Sequence, residues 1–474
     1  MTSRANSRRR FLKTTVLAGA GGMTGAAAIN IASPYLLPEK SQFDENNSFW
    51  SAELPLPNSP LLRDRELDVA IVGGGLTGLS AALYLKRNSS GTTVALLEAA
   101  RCGNGASGRN GAMLLTLTED RYMQSSSDAQ VDKRIYELTA DNIRRLRGFS
   151  AEYGVDAEIE QDGALQVCNS AEQSAVALEY CERARAGGLP VEFWDNQKTA
   201  QAIGTRLYAG AYFDPNSGQV HPGKLVRLFK TAAQAEGVEI FEQSPVVHIE
   251  QGPQIILTLT NGSSVKCKTL IMATNAYSSK LGYLRGAASP IFDYMAITAP
   301  LSEGRLSQIR WTRRIPFNDC RTEVFYLGLT RDNRVHIGGG PVDYVFNNGV
   351  SEPSAAAHRF AALRSELTRI YPSLANEPFE RTWSGLVDMS LDQTPAVGRM
   401  GKHGNILYAI GFSGHGVNLT SVFGRILADL VAQKDPAWEW LPYLNRLPTY
   451  TPNEPFRWAG IHLALGFNRL REGS

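Results

Sequence analysis

The sequence predicts an α/β fold in which an α+β domain, built on an antiparallel or mixed sheet, is inserted into a domain that opens with a βαβ unit. Three observations carry that prediction. Asp68 to Val72 is a short apolar β-type run, Leu76 to Arg87 has helical apolar spacing, and Thr93 to Leu97 is a second apolar run ending in Glu98. The middle of the chain changes to alternating strand candidates at Ile291 to Thr298, Glu323 to Leu329 and Arg334 to Gly338. After Asp392 the chain returns to an apolar strand, Asn405 to Ile410, then a glycine-rich turn and a helix from about Leu419 to Gln433. A chain of 474 residues, 43% hydrophobic and 20% charged, has core enough for roughly two to three such units.

The elements before the first strand are of a different kind. Ser7-Arg8-Arg9-Arg10-Phe11-Leu12-Lys13 precedes an apolar Ala/Gly-rich stretch from Thr14 to about Ala32 and resembles a twin-arginine export signal. The stretch is weakly hydrophobic and glycine-interrupted, a poor permanent span; Ala26 to Ala28 is a candidate cleavage site, with an uncleaved anchor the alternative. This implies a periplasmic or exported protein. Ser33 to Arg65 is rich in Pro, Asn and Ser and reads as an extended lead-in arm. The net charge of +2 gives no electrostatic case for nucleic-acid binding. The five cysteines show no metal-ligand spacing, so no metal and no disulfide are expected.

Between the opening unit and the middle domain, helical patterns run from Asp128 to Tyr153 and Ser170 to Gly187, both expected to decorate the second domain. His221 to Gly237 is helical, and Glu239 to Phe241 and Pro245 to Ile249 are strands. Gln254 to Thr260 turns at Asn261-Gly262 into Ser264 to Lys268, a hairpin on Asn-Gly chemistry, before the apolar strand Lys268 to Thr274. A helix is expected from Ser354 to Tyr371.

The first turn is Gly73-Gly74-Gly75-Leu76-Thr77-Gly78, a G-x-G-x-x-G directly after a strand and opening a helix. Gly73 permits the tight turn, Gly75 lets a pyrophosphate approach, and Gly78 lets helix pack on strand, while the N–H groups near Leu76 and Thr77 face the phosphates. Glu98, followed by Ala99, stands where a carboxylate can accept ribose hydroxyls. The fingerprint leaves FAD and NAD open. The next segment favours FAD: Arg101-Cys-Gly-Asn-Gly-Ala-Ser-Gly-Arg-Asn-Gly111 is too glycine-rich and polar for helix or strand. Its N–H groups, with Ser107, Gly108, Arg109, Asn110, Gly111 and the following Ala112, can wrap a phosphate and continue along a flat ring.

That segment resembles the stretch after the Rossmann unit in the D-amino acid oxidase superfamily of flavoproteins, most of all its γ-glutamylputrescine oxidase branch. Ser244-Pro-Val-Val-His-Ile249, Ala273-Thr-Asn-Ala-Tyr277 and Gly411-Phe-Ser-Gly-His-Gly-Val417 agree with it, so the likeness spans about residues 66 to 435. The resemblance implies a Rossmann-type FAD domain with an inserted substrate domain. It places Val246 at the adenine, Ala273 and Thr274 beside the dinucleotide, and Gly411 and Gly414, His415, Gly416 and Val417 at the flavin end. The expected division is 1–33 signal, 34–66 arm, 67–120, 205–280 and 385–435 FAD-binding domain, 121–204 and 281–384 substrate domain, and 436–474 C-terminal extension. No His or Cys stands where branches with covalent flavin have one, so the FAD is expected to be non-covalent.

The activity implied is oxidation of an amine or amino acid by hydride transfer to the flavin, giving an imine that hydrolyses, with oxygen or a quinone as electron acceptor. The candidate substrate-side residues are Tyr294, Tyr326, Trp383 and His415; the alternative for the aromatics is a packing role and for His415 a hydrogen-bonded structural imidazole. Relatives acting on α-amino acids have an arginine in a segment like Trp383 to Asp388 and another in a Tyr-x-Arg pattern; Val387 and Gly328 stand at those places. A carboxylate clamp is therefore not expected, which favours an amine or an ω-substituted substrate. The alternatives are a flavin dehydrogenase of a hydroxylated substrate and a non-catalytic exported flavin-binding partner. Pro455 to Gly473 reads as a basic amphipathic helix that either makes peripheral membrane contact or docks on the protein itself.

Overall fold

The computed structural model describes residues 47–116, 128–353 and 356–472. The twin-arginine segment lies outside them. Two large sheets organise the chain. The first has the strand order Ala396–Met400, Ile406–Ile410, Ser264–Met272, Arg65–Val72, Val94–Leu97, Glu239–Phe241, and is parallel from Ile406–Ile410 to Glu239–Phe241. Side chains alternate across it. Val69 and Ile71 enter one core with helices Leu76–Asn88, Pro222–Ala235 and Gly416–Val431, whereas Ala70 and Val72 enter another with Ile249, Ile255 and Leu257.

The hairpin at Asn261-Gly262 is present, but its second strand and the following apolar strand are one element, Ser264–Met272. It pairs antiparallel with Ile255–Leu259 along one edge and parallel with Arg65–Val72 along the other, so there is no break at Lys268.

The second sheet is mixed. Its order is Asp343–Tyr344, Ser289–Thr298, Val335–Gly339, Phe325–Leu329, Phe317–Asp319, Ala164–Cys168, Gly210–Asp214, Glu192–Asp195, with Phe379–Met389 also on Ser289–Thr298. All its pairings are antiparallel except Phe317–Asp319 with Ala164–Cys168. Helix Ala356–Ile370 covers one face through Leu363, Leu367 and Ile370. The chain is thus an α/β domain with an inserted α+β domain on a mixed sheet.

Two placements differ from expectation. Helix Ala129–Tyr153, assigned by sequence to the second domain, puts Ile135, Ile143, Leu146 and Phe149 into the first core beside Leu79 and Phe229. Its apolar stripe fits a helical layer, and Asn142 Nδ2 bonds Asn418 Oδ1 at 2.8 Å on Gly416–Val431. Strand Gly210–Asp214, placed with the first domain, belongs to the second sheet.

The described part of the lead-in arm, from residue 47, packs on the protein. Trp50 is buried in a short 3-10 turn, Phe49–Glu53, edge to face with Trp383 at 6.0 Å. Burial of the indole offsets the polar composition around it.

Candidate active site

A cavity of about 1530 Å³ runs from the glycine turn after the first strand, between the two sheets, to the C-terminal helix. That volume exceeds the roughly 300–1,000 Å³ of ordinary ligand sites and leaves space for a dinucleotide and a second molecule. Its first wall is backbone. Gly73 has φ +112°, and a Cβ there would fall on the Ala273 carbonyl oxygen. Gly78 does not reach the cavity; it packs against the Gly73 carbonyl, the helix-on-strand contact expected of it. A Cβ on Gly75 would stand 2.9 Å from Ser107 Oγ, which already accepts the Leu76 N–H at 2.9 Å. Helix Leu76–Asn88 therefore presents its N-terminus to the cavity through Gly75, Leu76 and Thr77.

Glu98 lines the same wall. Its two oxygens accept Gly74 N at 2.7 Å and Ala100 N at 2.9 Å, which leaves lone pairs for a hydroxyl partner. Burial pushes its carboxyl up, and those N–H groups oppose the shift. Ala99, Ser107, Arg109, Asn110, Gly111, Val246, Ala273, Thr274, Gly414, His415, Gly416 and Val417 all line the cavity. Arg109 is braced by Asn104 O at 2.7 Å and Ser384 O at 3.2 Å. His415 is the N-cap of helix Gly416–Val431, which begins three residues before the expected Leu419, and its Nδ1 lies 3.2 Å from Ser413 O.

Besides Gly78, five expected site residues lie elsewhere. Gly108 is turned to the arm, its carbonyl accepting Ser48 Oγ at 2.7 Å. Ala112, at φ +61°, packs with Trp50 and Trp383. Gly411 donates its N–H to Asp388 Oδ2 at 2.6 Å and stands behind the turn. Trp383 is buried with its indole N–H on Arg109 O at 2.9 Å, and so shapes the loop without facing substrate. Tyr294 points into the core of the second sheet and donates to Asp343 Oδ2 at 2.8 Å. Tyr326 does line the cavity: its ring occupies the space that a Cβ on Gly111 or Gly338 would take.

The structure adds residues that sequence reasoning omits. Asp293 accepts the Tyr326 hydroxyl at 2.8 Å inside the cavity, and burial raises its carboxyl to about 6. Asp388 accepts Gly411 N and Phe412 N at 2.6 and 3.2 Å, holding the turn before His415, and burial raises it to about 7. Both carboxylates sit in apolar strand runs, which is the signal they leave in sequence. Behind the flavin-type loop, Lys230 and Glu242 form a buried pair at 2.5 Å. Glu242 also accepts Cys102 N at 2.6 Å, and Lys230 donates to Leu56 O at 2.8 Å, which joins loop, helix and arm. Lys230 falls on a helix face otherwise made by Val226, Phe229 and Ala233.

Two absences have physical correlates. A Cβ on Gly328 would collide with the buried His336 ring, whose imidazole burial lowers to about 3, and neither residue lines the cavity. Val387 faces the cavity as an apolar wall.

The roof is the C-terminal helix Phe456–Glu472. Arg457, Gly460, Ile461, Ala464, Leu465 and Asn468 recur at helical spacing and line the cavity. Arg469 clamps Glu323 at 2.7 and 2.9 Å, and Arg457 bonds Asn348 Oδ1 at 2.8 Å. The outer face exposes Trp458, Leu463, Phe467 and Leu470. Among the described residues no helix is long and apolar enough to cross a membrane, and no cluster of three or more His, Cys, Asp or Glu could hold a metal.

The profile of the FAD-dependent oxidoreductase family known as DAO matches residues 68–430. The chain belongs to this family. As a family member it is an FAD-dependent oxidoreductase, and the glycine-walled end of the cavity fits that cofactor. It is 30% identical over 385 residues to the probable oxidoreductase OrdL of Haemophilus influenzae, covering 79% of this chain and 85% of the relative. The γ-glutamylputrescine oxidoreductase of Escherichia coli is 29% identical over 409 residues, covering 83% and 91%. The fold matches glycine oxidase from Geobacillus kaustophilus with a TM-score of 0.68 at 21% identity, over 81% of this chain and 99% of that one.

Proposed function

We propose that this chain oxidises an amine or amino acid at its C–N bond: a hydride leaves the carbon bearing nitrogen for the FAD, and water hydrolyses the resulting imine. The observation that carries this is the single cavity joining the glycine turn and the helix N-terminus at Gly416 to Tyr326 and Asp293 on the second sheet. The N–H groups of Gly75 and Thr77, with the Ser107 hydroxyl that the Leu76 N–H holds in place, would face the pyrophosphate. Glu98 and Ala99 would hold the ribose, and Val246, Ala273 and Thr274 the adenosine side. Ser107, Arg109, Asn110 and Gly111 would flank the ring, with Gly414 to Val417 at its far edge, where a helix N-terminus stabilises negative charge. The cofactor is non-covalent in this reading. Tyr326 and Asp293 orient the substrate, and the helix Phe456–Glu472 excludes water from it.

The decisive experiment is an anaerobic screen of amines, amino acids and hydroxy acids that follows bleaching of the flavin. Reduction by amines supports the reading; reduction by hydroxy acids alone, or by nothing, overturns it. Reoxidation of the reduced protein by air against a quinone analogue then assigns the acceptor.

Export by the twin-arginine route is part of the same proposal and rests on Ser7 to Lys13. Replacing Arg8 and Arg9 with Lys should retain the protein in the cytoplasm on fractionation. The exposed Trp458, Leu463, Phe467 and Leu470 suit peripheral contact with a lipid surface, which would favour a quinone acceptor. Flotation with anionic vesicles tests it, and Leu470→Asp should weaken it.

A further inference from the structure

Strand Ser289–Thr298 is buried along its length except at one residue, Asp293, and the surface that Asp293 keeps is turned into the cavity. The other cavity carboxylates serve the scaffold: Glu98 holds the glycine turn, Asp388 holds the turn before His415, Asp319 is paired with Arg321, Glu323 is clamped by Arg469, and Glu454 accepts Asn347 N, Trp458 N and the Tyr344 hydroxyl. Asp293 accepts the Tyr326 hydroxyl on Oδ2 at 2.8 Å, the Tyr294 N–H on Oδ1 at 2.8 Å and the Gly339 N–H, and no lysine or arginine among the described residues pairs with it. A carboxylate enclosed by protein without a cation is costly unless a positive partner arrives. Around it the walls are Ile291, Met295 and the Tyr326 ring, an apolar setting in which an ammonium gains from both the carboxylate and the ring. Of the two positions at which relatives acting on α-amino acids carry an arginine, Val387 faces the cavity as an apolar side chain and Gly328 does not reach it.

We propose that Asp293, oriented by Tyr326, is the anchor on which the substrate binds as its ammonium, which releases one N–H proton to water before the hydride leaves the neighbouring carbon, and that this site selects amines without requiring an α-carboxylate. The inference rests on the amine reading above and names its substrate class. Asp293 is a binding and specificity residue; the positioning role belongs to Tyr326.

The test uses ligands that cannot be turned over. tert-Butylammonium has no hydrogen on the carbon bearing nitrogen, and tert-butanol is its neutral isostere; pivalate supplies the opposite charge. Each is titrated into the flavin-loaded protein under anaerobic conditions, with binding read from the flavin spectrum. The wild type should prefer tert-butylammonium to tert-butanol by at least about tenfold and bind pivalate weakest. Asp293→Asn should lose that preference, Asp293→Glu should recover part of it, and Tyr326→Phe should weaken it without abolishing it. Equal binding of ammonium and alcohol by the wild type overturns the proposal whatever the variants do. So does a preference unchanged in Asp293→Asn, or loss of flavin from that variant, which would put Asp293 on the cofactor side. Amines that bleach the flavin while the preference is absent defeat this inference and leave the function standing. A preference that depends on Asp293 with no amine oxidised defeats the function and leaves the cation site.

Discussion

The two walls of the cavity are made of different material. The wall at Gly73 to Gly78 is backbone: N–H groups, a helix end, and glycines at which a Cβ would strike neighbouring protein atoms. The wall on Ser289–Thr298 and Phe325–Leu329 is side chain: a carboxylate, a phenol and apolar groups, each replaceable in shape but not in charge. The first wall can bind one kind of ligand and tolerates almost no substitution. The second can be retuned by a single residue, which is how one fold serves many substrates.

Gly73→Ala should have the largest effect, because its Cβ would meet the Ala273 carbonyl at a φ of +112° that costs about 1–3 kcal/mol by itself. The purified protein should lack flavin colour, measured by absorbance, while the second sheet still folds. If it retains full flavin, the first wall is softer than described.

Lys230→Met tests the strut behind the backbone wall. It leaves Glu242 buried without its cation and should destabilise the protein by roughly 3–5 kcal/mol in urea unfolding. Flavin should be held more loosely, because Glu242 also holds Cys102 N.

Asp388→Asn sharpens the comparison through pH. Burial raises Asp388 to about 7 from an ordinary 3.8, so between those values the native state binds more protons than the unfolded one. Its contribution to stability is present below the unfolded value and is lost as pH rises through about 7. Asp293, raised to about 6, acts in the same direction. Thermal melting of the flavin-free protein should fall across this window, and Asp388→Asn should flatten the fall without removing the part due to Asp293.

The smallest effect belongs to Tyr294→Phe. It deletes one hydrogen bond to Asp343 outside the cavity and should cost about 1 kcal/mol, with turnover unchanged. A large loss of kcat would return Tyr294 to the site.

The same division explains what the sequence made legible. Gly73, Gly75 and Glu98 are readable because the backbone conformation or approach at each admits few residue types. Asp293 and Tyr294 are adjacent on one strand and so face opposite sides of the sheet; no pattern told which was cavity and which was core. Tyr326 and Tyr294 were equal candidates for that reason. The arm read as linker because Pro, Asn and Ser dominate it, although Trp50 and Leu61 are fully buried. Helix Ala129–Tyr153 was recognised as an element, but an apolar stripe does not say which layer it meets.

Trp50 and Trp383 donate their indole N–H groups to consecutive carbonyls of one loop, Asn110 O and Arg109 O, each at 2.9 Å. Both chromophores are thereby fixed to a loop that lines the cavity. Two of the seven tryptophans thus give the ultraviolet emission a component expected to report cofactor loading. Flavin entering beside Gly111 should quench it, and a variant that frees the arm should dim that response before activity changes.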